Sequence, residues 1–156
     1  MTSRMSLAVA TALGAGYVPF APGTIGSIAG LALFVVVRAT GQPAVELAAI
    51  VAVYLVGAWA ATAAEAHFGH IDPGPVVIDE VLGMLVTLAL VPVSITGALV
   101  GFVLFRVFDV IKPPPCNRLE ALPGGWGVMS DDFMAAVYAH LCVRLLAWAA
   151  PGWMLA

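Results

Sequence analysis

Residues 76–112 read VVIDEVLGMLVTLALVPVSITGALVGFVLFRVFDVIK, and whether this stretch forms one helix or two decides the fold. No residue from Val81 to Phe105 is charged, so the run is apolar enough to enter a bilayer. Pro92, Ser94, Thr96 and Gly97 interrupt it. One reading is a single long helix kinked at the proline; the other is a tight hairpin of short helices over Val76–Val91 and Val93–Phe108.

Outward from this stretch lie further apolar runs at Ile28–Val37, Leu47–Ala64 and Phe133–Ala150. The second and third approach the length of about 20 residues that crosses a hydrocarbon core, whereas Ile28–Val37 spans only if its flanks join it. Of the 156 residues 62% are hydrophobic and 10% charged, too few charges to cover the surface of a water-soluble globule. The expected fold is all-α: a small polytopic helical membrane protein with short or re-entrant helices, forming one domain over 1–156. With six basic residues and a net charge of -3, no nucleic-acid groove is expected. Oligomeric state is not legible. The weakly apolar stretch Met5–Phe20 has the outline of a signal peptide, but its glycines, its proline and the lack of a basic cluster argue against one.

Between the apolar runs lie polar segments at Pro19–Ser27, Glu65–Glu80 and Arg106–Asp132. The hairpin returns all of them to one membrane face; a single long helix puts the last two on opposite faces. The hairpin also gathers Arg4, Arg106, Lys112 and Arg118 on that face and leaves Arg38 opposite, which makes the shared face cytoplasmic by the positive-inside tendency.

The acids concentrate in these segments. Glu46, Glu65 and Glu120 read as ordinary loop charges. Asp79 and Glu80 do not, because they sit inside Val76-Val77-Ile78-Asp79-Glu80-Val81-Leu82-Gly83, where paired negative charge is costly unless a cation meets it. Arg106, Asp109 and Lys112 recur every third residue and are expected on one helical face, as a salt-bridge ladder or as a metal ligand, Asp109, flanked by two phosphate-holding cations. Ser130 reads as an N-cap, with Asp131 and Asp132 in the first turn and a ligand role in prospect. Thr24 and Ser27, in Ala21-Pro22-Gly23-Thr24-Ile25-Gly26-Ser27, open an apolar helix whose free N–H groups can receive an anion; the alternative is that Thr24 merely caps it.

His67, His70 and His140 show no ligand spacing, although His140 and Arg144 form an i,i+4 pair. Cys116 and Cys142 read as ordinary thiols, and Leu122 stands where a cysteine-dependent phosphatase would want arginine. Hard oxygen donors without a Cys or His cluster favour Mg2+ over zinc, and carboxylates with a metal and cations suit phosphoryl chemistry. Residue reading alone reaches that reaction class. A membrane transporter or ion-binding scaffold with intramembrane carboxylates is the alternative. A phosphatidyl transferase is disfavoured, because the D-x2-D-G-x2-A-R pattern is absent.

Four blocks, at 21–27, 77–83, 105–113 and 127–132, together resemble the motifs of the phosphatidylglycerophosphatase A family. Pro114, Cys116 and Ser130 depart from that pattern but leave the acids intact. The resemblance implies a helical fold in the bacterial inner membrane, magnesium dependence, and hydrolysis of phosphatidylglycerophosphate, a phospholipid in the bilayer, to phosphatidylglycerol and phosphate. The expected metal ligands are Asp79, Glu80, Asp109 and Asp132. Asp131 joins them as a catalytic candidate, and Thr24, Ser27, Arg106 and Lys112 are expected on the substrate. Activated water is preferred over an aspartate as the nucleophile.

Overall fold

The computed structural model describes residues 4–156, and among these the regular structure is helical. A short α1 (Arg4–Ala10) and a 3-10 turn (Ala15–Tyr17) precede α2 (Pro22–Arg38) and α3 (Pro43–Phe68). Then come α4 (Ile78–Leu88), α5 (Ile95–Ile111), a one-turn α6 (Cys116–Leu119), α7 (Gly125–Ala149) and α8 (Pro151–Met154). Of these, α3 and α7 are long and apolar enough to cross a membrane. Helix α1 packs on α3, and the amide of Val77 donates to the carbonyl of Ala10 at 2.9 Å.

The deciding stretch forms the hairpin. Helix α4 stops at Leu88, Leu90 takes a left-handed φ of 57°, Pro92 follows, and Ser94 caps α5 by accepting from the amide of Gly97 at 3.0 Å. A proline and a hydroxyl cap together end one helix and start the next, where a proline alone would only kink it. The short α2 also gains its flank. Pro22, whose missing N–H is no loss in a first turn, starts the helix ahead of the apolar run. Thr24 therefore lies inside the first turn and is not its cap.

Helix α4 is the central pillar. Beyond its first turn it carries no charged residue, and all of Ile78–Leu88 except Glu80 is buried by α2, α3, α5 and α7. Close approach depends on small residues: a Cβ on Gly30 of α2 would stand 2.9 Å from the Val81 backbone, and one on Gly83 would enter the Phe105 ring. Ala58, Ala60, Ala61 and Ala64 of α3 and Ala135, Ala136 and Ala139 of α7 line the same core. The outer faces of the long helices stay apolar, with Val51, Leu55, Trp59, Val103, Leu145 and Trp148 exposed.

Helix α7 begins earlier than the sequence reading allows. Gly124 adopts φ 60°, ψ -154°, a conformation essentially reserved for glycine, and the amide of Gly125 donates to Thr62 Oγ1 at 2.8 Å. Ser130 is consequently inside the helix, hydrogen-bonded to the Tyr54 hydroxyl at 2.7 Å, and caps nothing. The acids after it lie in the second turn and point into the bundle.

At the far end of the bundle another expectation fails. Glu46 is no loop charge. It is buried in the first turn of α3, pairs with Arg38 at 2.6 Å, and accepts the Leu90 amide at 2.9 Å, so one carboxylate ties α2, α3 and the α4–α5 turn together. Nearby, Arg144 Nε donates to His140 Nε2 at 3.0 Å, which leaves His140 Nδ1–H to donate to the Thr87 carbonyl at 3.1 Å.

Candidate active site

At the opposite end, acids from three helices converge. The first turn of α4 carries Asp79 and Glu80, and the second turn of α7 carries Asp132; one carboxylate oxygen from each lies within 4.8 Å of the others. Asp79 Oδ1, Glu80 Oε2 and Asp132 Oδ2 are buried without a hydrogen-bond partner. Two unit charges that close repel by roughly 3 kcal/mol at an effective dielectric of about 20. Native proteins rarely bury such unpaired groups without a function for them. Hard oxygen donors, orphaned and converging, fit a divalent cation such as Mg2+.

Asp109 stands in the last turn of α5 with its carboxylate beside that of Asp132, and Arg106 Nη1 lies 2.7 Å from Asp109 Oδ2 and 3.5 Å from Glu80 Oε1. Asp109 is thus adjacent to the converging oxygens and tied to a cation. The expected single face of Arg106, Asp109 and Lys112 does not form. Lys112 terminates α5 in a left-handed conformation, φ 46°, immediately before the proline run, and its side chain swings away. Its Nζ lies 2.5 Å from Asp131 Oδ2 and 3.2 Å from Glu120 Oε1. Burial alone would lower the Lys112 pKa, but Asp131 and Glu120 outweigh it and hold the ammonium above its ordinary value. Asp131 accordingly belongs to a second ionic group, and Glu120, read as a loop charge, is its third member.

The N-terminal block reaches the site through a residue the sequence reading passed over. A Cβ built on Gly23 would fall on Glu80 Oε1 and 2.9 Å from both terminal nitrogens of Arg106. The only sequence signal for this was the glycine itself. Thr24 lines a neighbouring groove that it shares with Arg106, whereas Ser27 is fully buried and donates to the Gly23 carbonyl at 2.9 Å. Cys116 and Cys142 are free thiols, and burial pushes the Cys116 pKa up, away from nucleophilic thiolate.

A helical bundle with two helices long and apolar enough to cross a membrane, and a buried carboxylate cluster flanked by arginine, defines the class: a helical protein with an acidic site at one end. The family model for phosphatidylglycerophosphatase A matches residues 8–147. The chain belongs to the phosphatidylglycerophosphatase A family and is a phosphatase. It is 36% identical over 149 residues to the phosphatidylglycerophosphatase A of Haemophilus influenzae, covering 94% of this chain and 89% of that protein. It is 35% identical over 153 residues to a Bacteroides thetaiotaomicron protein named "Putative phosphatidylinositol-3-phosphatase", covering 94% and 96%. The Escherichia coli phosphatidylglycerophosphatase A is 30% identical over 131 residues, covering 83% and 76%. No solved structure matches.

Proposed function

We propose that the protein is a Mg2+-dependent phosphatase that hydrolyses phosphatidylglycerophosphate to phosphatidylglycerol and phosphate in a bacterial inner membrane. The observation that carries this reading is the set of partnerless oxygens on Asp79, Glu80 and Asp132 beside the Arg106 guanidinium. Asp79, Glu80 and Asp132 would hold the cation, with Asp109 next to them. When bound, a divalent cation supplies neutralising charge and polarisation at the phosphoryl group.

The chain's own groups do the rest. Arg106 has more N–H donors than its two carboxylate partners use, and those remaining bind phosphoryl oxygens and stabilise their charge in the transition state. Asp109 fixes the guanidinium plane. The absence of a side chain at Gly23 lets the start of α2 pack directly against the Glu80–Arg106 pair, where even a methyl group would clash. Thr24 adds a hydroxyl in the groove it shares with Arg106. Lys112, held by Asp131 and Glu120, orients the chain between α5 and α7. Water is the nucleophile in this reading, since the acids at the site are occupied with the cation or with Arg106.

The helices α2, α3, α5 and α7 would cross the bilayer around the shorter, buried α4. Arg106, Lys112 and Arg118 lie at the site end and Arg38 and Arg144 toward the other, which favours a cytoplasmic site. Phosphate release by the purified protein in detergent tests the function, with phosphatidylglycerophosphate, phosphatidylinositol 3-phosphate and phosphatidic acid compared in Mg2+ and in chelator. Mg2+-dependent release that is fastest from phosphatidylglycerophosphate is expected. Release from none of these lipids would return the protein to the ion-binding or transport reading.

A further inference from the structure

The helices α2 and α5 flank α4 but leave an open seam between themselves. At the site end the seam widens into a groove of about 540 Å³ lined by Thr24, Phe102, Val103, Arg106, Val107 and Val110. Toward the far end the same two helices border a second groove of about 360 Å³, whose wall includes Leu31, Phe34, Val35 and Ala98 together with Arg38 and Ser94. The larger hollow lies within the range of small-ligand sites, about 300–1,000 Å³. Its polarity is one-sided. Thr24 and Arg106 are its polar members, and the same guanidinium reaches Glu80 and Asp109 behind it, so the groove and the acid cluster share a wall.

We propose that this seam seats one acyl chain of the lipid phosphate, so that the substrate slides in sideways between α2 and α5 with its phosphate drawn to Arg106; this rests on the lipid-phosphatase reading above. Several observations converge on that occupant. Phe102, Val103, Arg106, Val107 and Val110 form one stripe along α5, running about 12 Å at 1.5 Å per residue. The stripe is apolar except where the guanidinium interrupts it beside the acids. The N–H donors of Arg106 that Glu80 and Asp109 leave unused suit a lipid whose head presents phosphoryl oxygens, and the second groove supplies wall for a chain extending toward the far end of the bundle.

Two measurements test it. Val103→Trp and Val107→Trp narrow the groove at exposed positions, with Val51→Trp and Leu55→Trp on α3 as controls. The groove variants should lower kcat/KM for a long-chain phosphatidylglycerophosphate about tenfold or more while changing the dihexanoyl analogue less than about twofold. An equal loss on both lipids, or a loss matched by the α3 controls, overturns the proposal.

The second measurement needs no turnover. Phosphatidic acid and diacylglycerol, each with a photoreactive group in the acyl chain, are cross-linked to the unaltered protein in vesicles. The phosphate-headed probe should label residues 102–111 and α2 in excess of the neutral probe. Equal labelling by both, or labelling spread evenly around the bundle, overturns the seam. A protein that releases no phosphate yet shows the focused labelling would retain the lipid seat and lose the phosphatase reading.

Discussion

At the scale of single residues, the acid cluster is a place where function opposes stability. Asp79, Glu80 and Asp132 repel one another in a buried site, and each amide substitution removes a charge at nearly constant volume. Asp79→Asn, Glu80→Gln and Asp132→Asn should each lower kcat more than about 100-fold and weaken Mg2+ binding measured calorimetrically. In chelator the same variants should melt several degrees higher than the parent, because the repulsion is relieved. A variant that melts lower in chelator would assign its carboxylate a structural role. Gly23 gives an independent probe of the same spot. Gly23→Ala places a methyl group between Glu80 and Arg106 on a helix that otherwise tolerates alanine, so turnover should fall sharply with the circular dichroism spectrum unchanged. Normal kinetics in Gly23→Ala would show that turnover does not depend on the packing of Glu80 and Arg106 against α2. The acids were legible in the sequence because charge inside an apolar run needs a reason. Gly23 was not, since an absent side chain announces nothing until the residues that would meet it are known.

At the scale of elements, the α4–α5 pair depends on the contact between Gly83 and the Phe105 ring. Gly83→Ala should cost about 1–3 kcal/mol by overpacking, read as a fall in melting temperature. Adding Phe105→Leu should recover part of it, and a strictly additive double variant would show that the two sites do not touch. The hairpin itself was readable from Pro92 and Ser94, which act locally. Elements governed by distant partners were misread. Ser130 resembled a cap because its sequence neighbours suit one, but Gly124 and the hydroxyl of Thr62 start α7 earlier. Lys112 resembled a member of the Arg106 face until the left-handed residue and the prolines turned it toward Asp131. Glu46 looked like a loop charge because its partners, Arg38 and the amide of Leu90, become neighbours only in the folded bundle.

At the scale of the whole molecule, the hairpin puts the 65–80 and 106–132 segments at one end and the Glu46 tie at the other. Single cysteines replacing Asp72 and Glu120 should therefore react with an impermeant thiol reagent from one side of the membrane, and a cysteine replacing Thr96 from the opposite side. Labelling of positions 72 and 120 from different sides would dismantle the shared site. The central helix carries a further consequence. At 11 residues α4 is about 16 Å long, roughly half of a typical hydrocarbon core, yet its acids must meet a phosphate held at the level of the lipid headgroups. The α2–α5 side, where the groove beside Arg106 opens, would then draw the bilayer surface inward, and the depth of that dimple would depend on the host lipid. Reconstituted into vesicles of increasing acyl length, with one substrate lipid held constant, the enzyme should turn over more slowly as the membrane thickens, because a thicker bilayer resists the indentation that brings the phosphate down to Asp79. A rate indifferent to thickness would mean that the headgroup reaches the acids without deforming its surroundings.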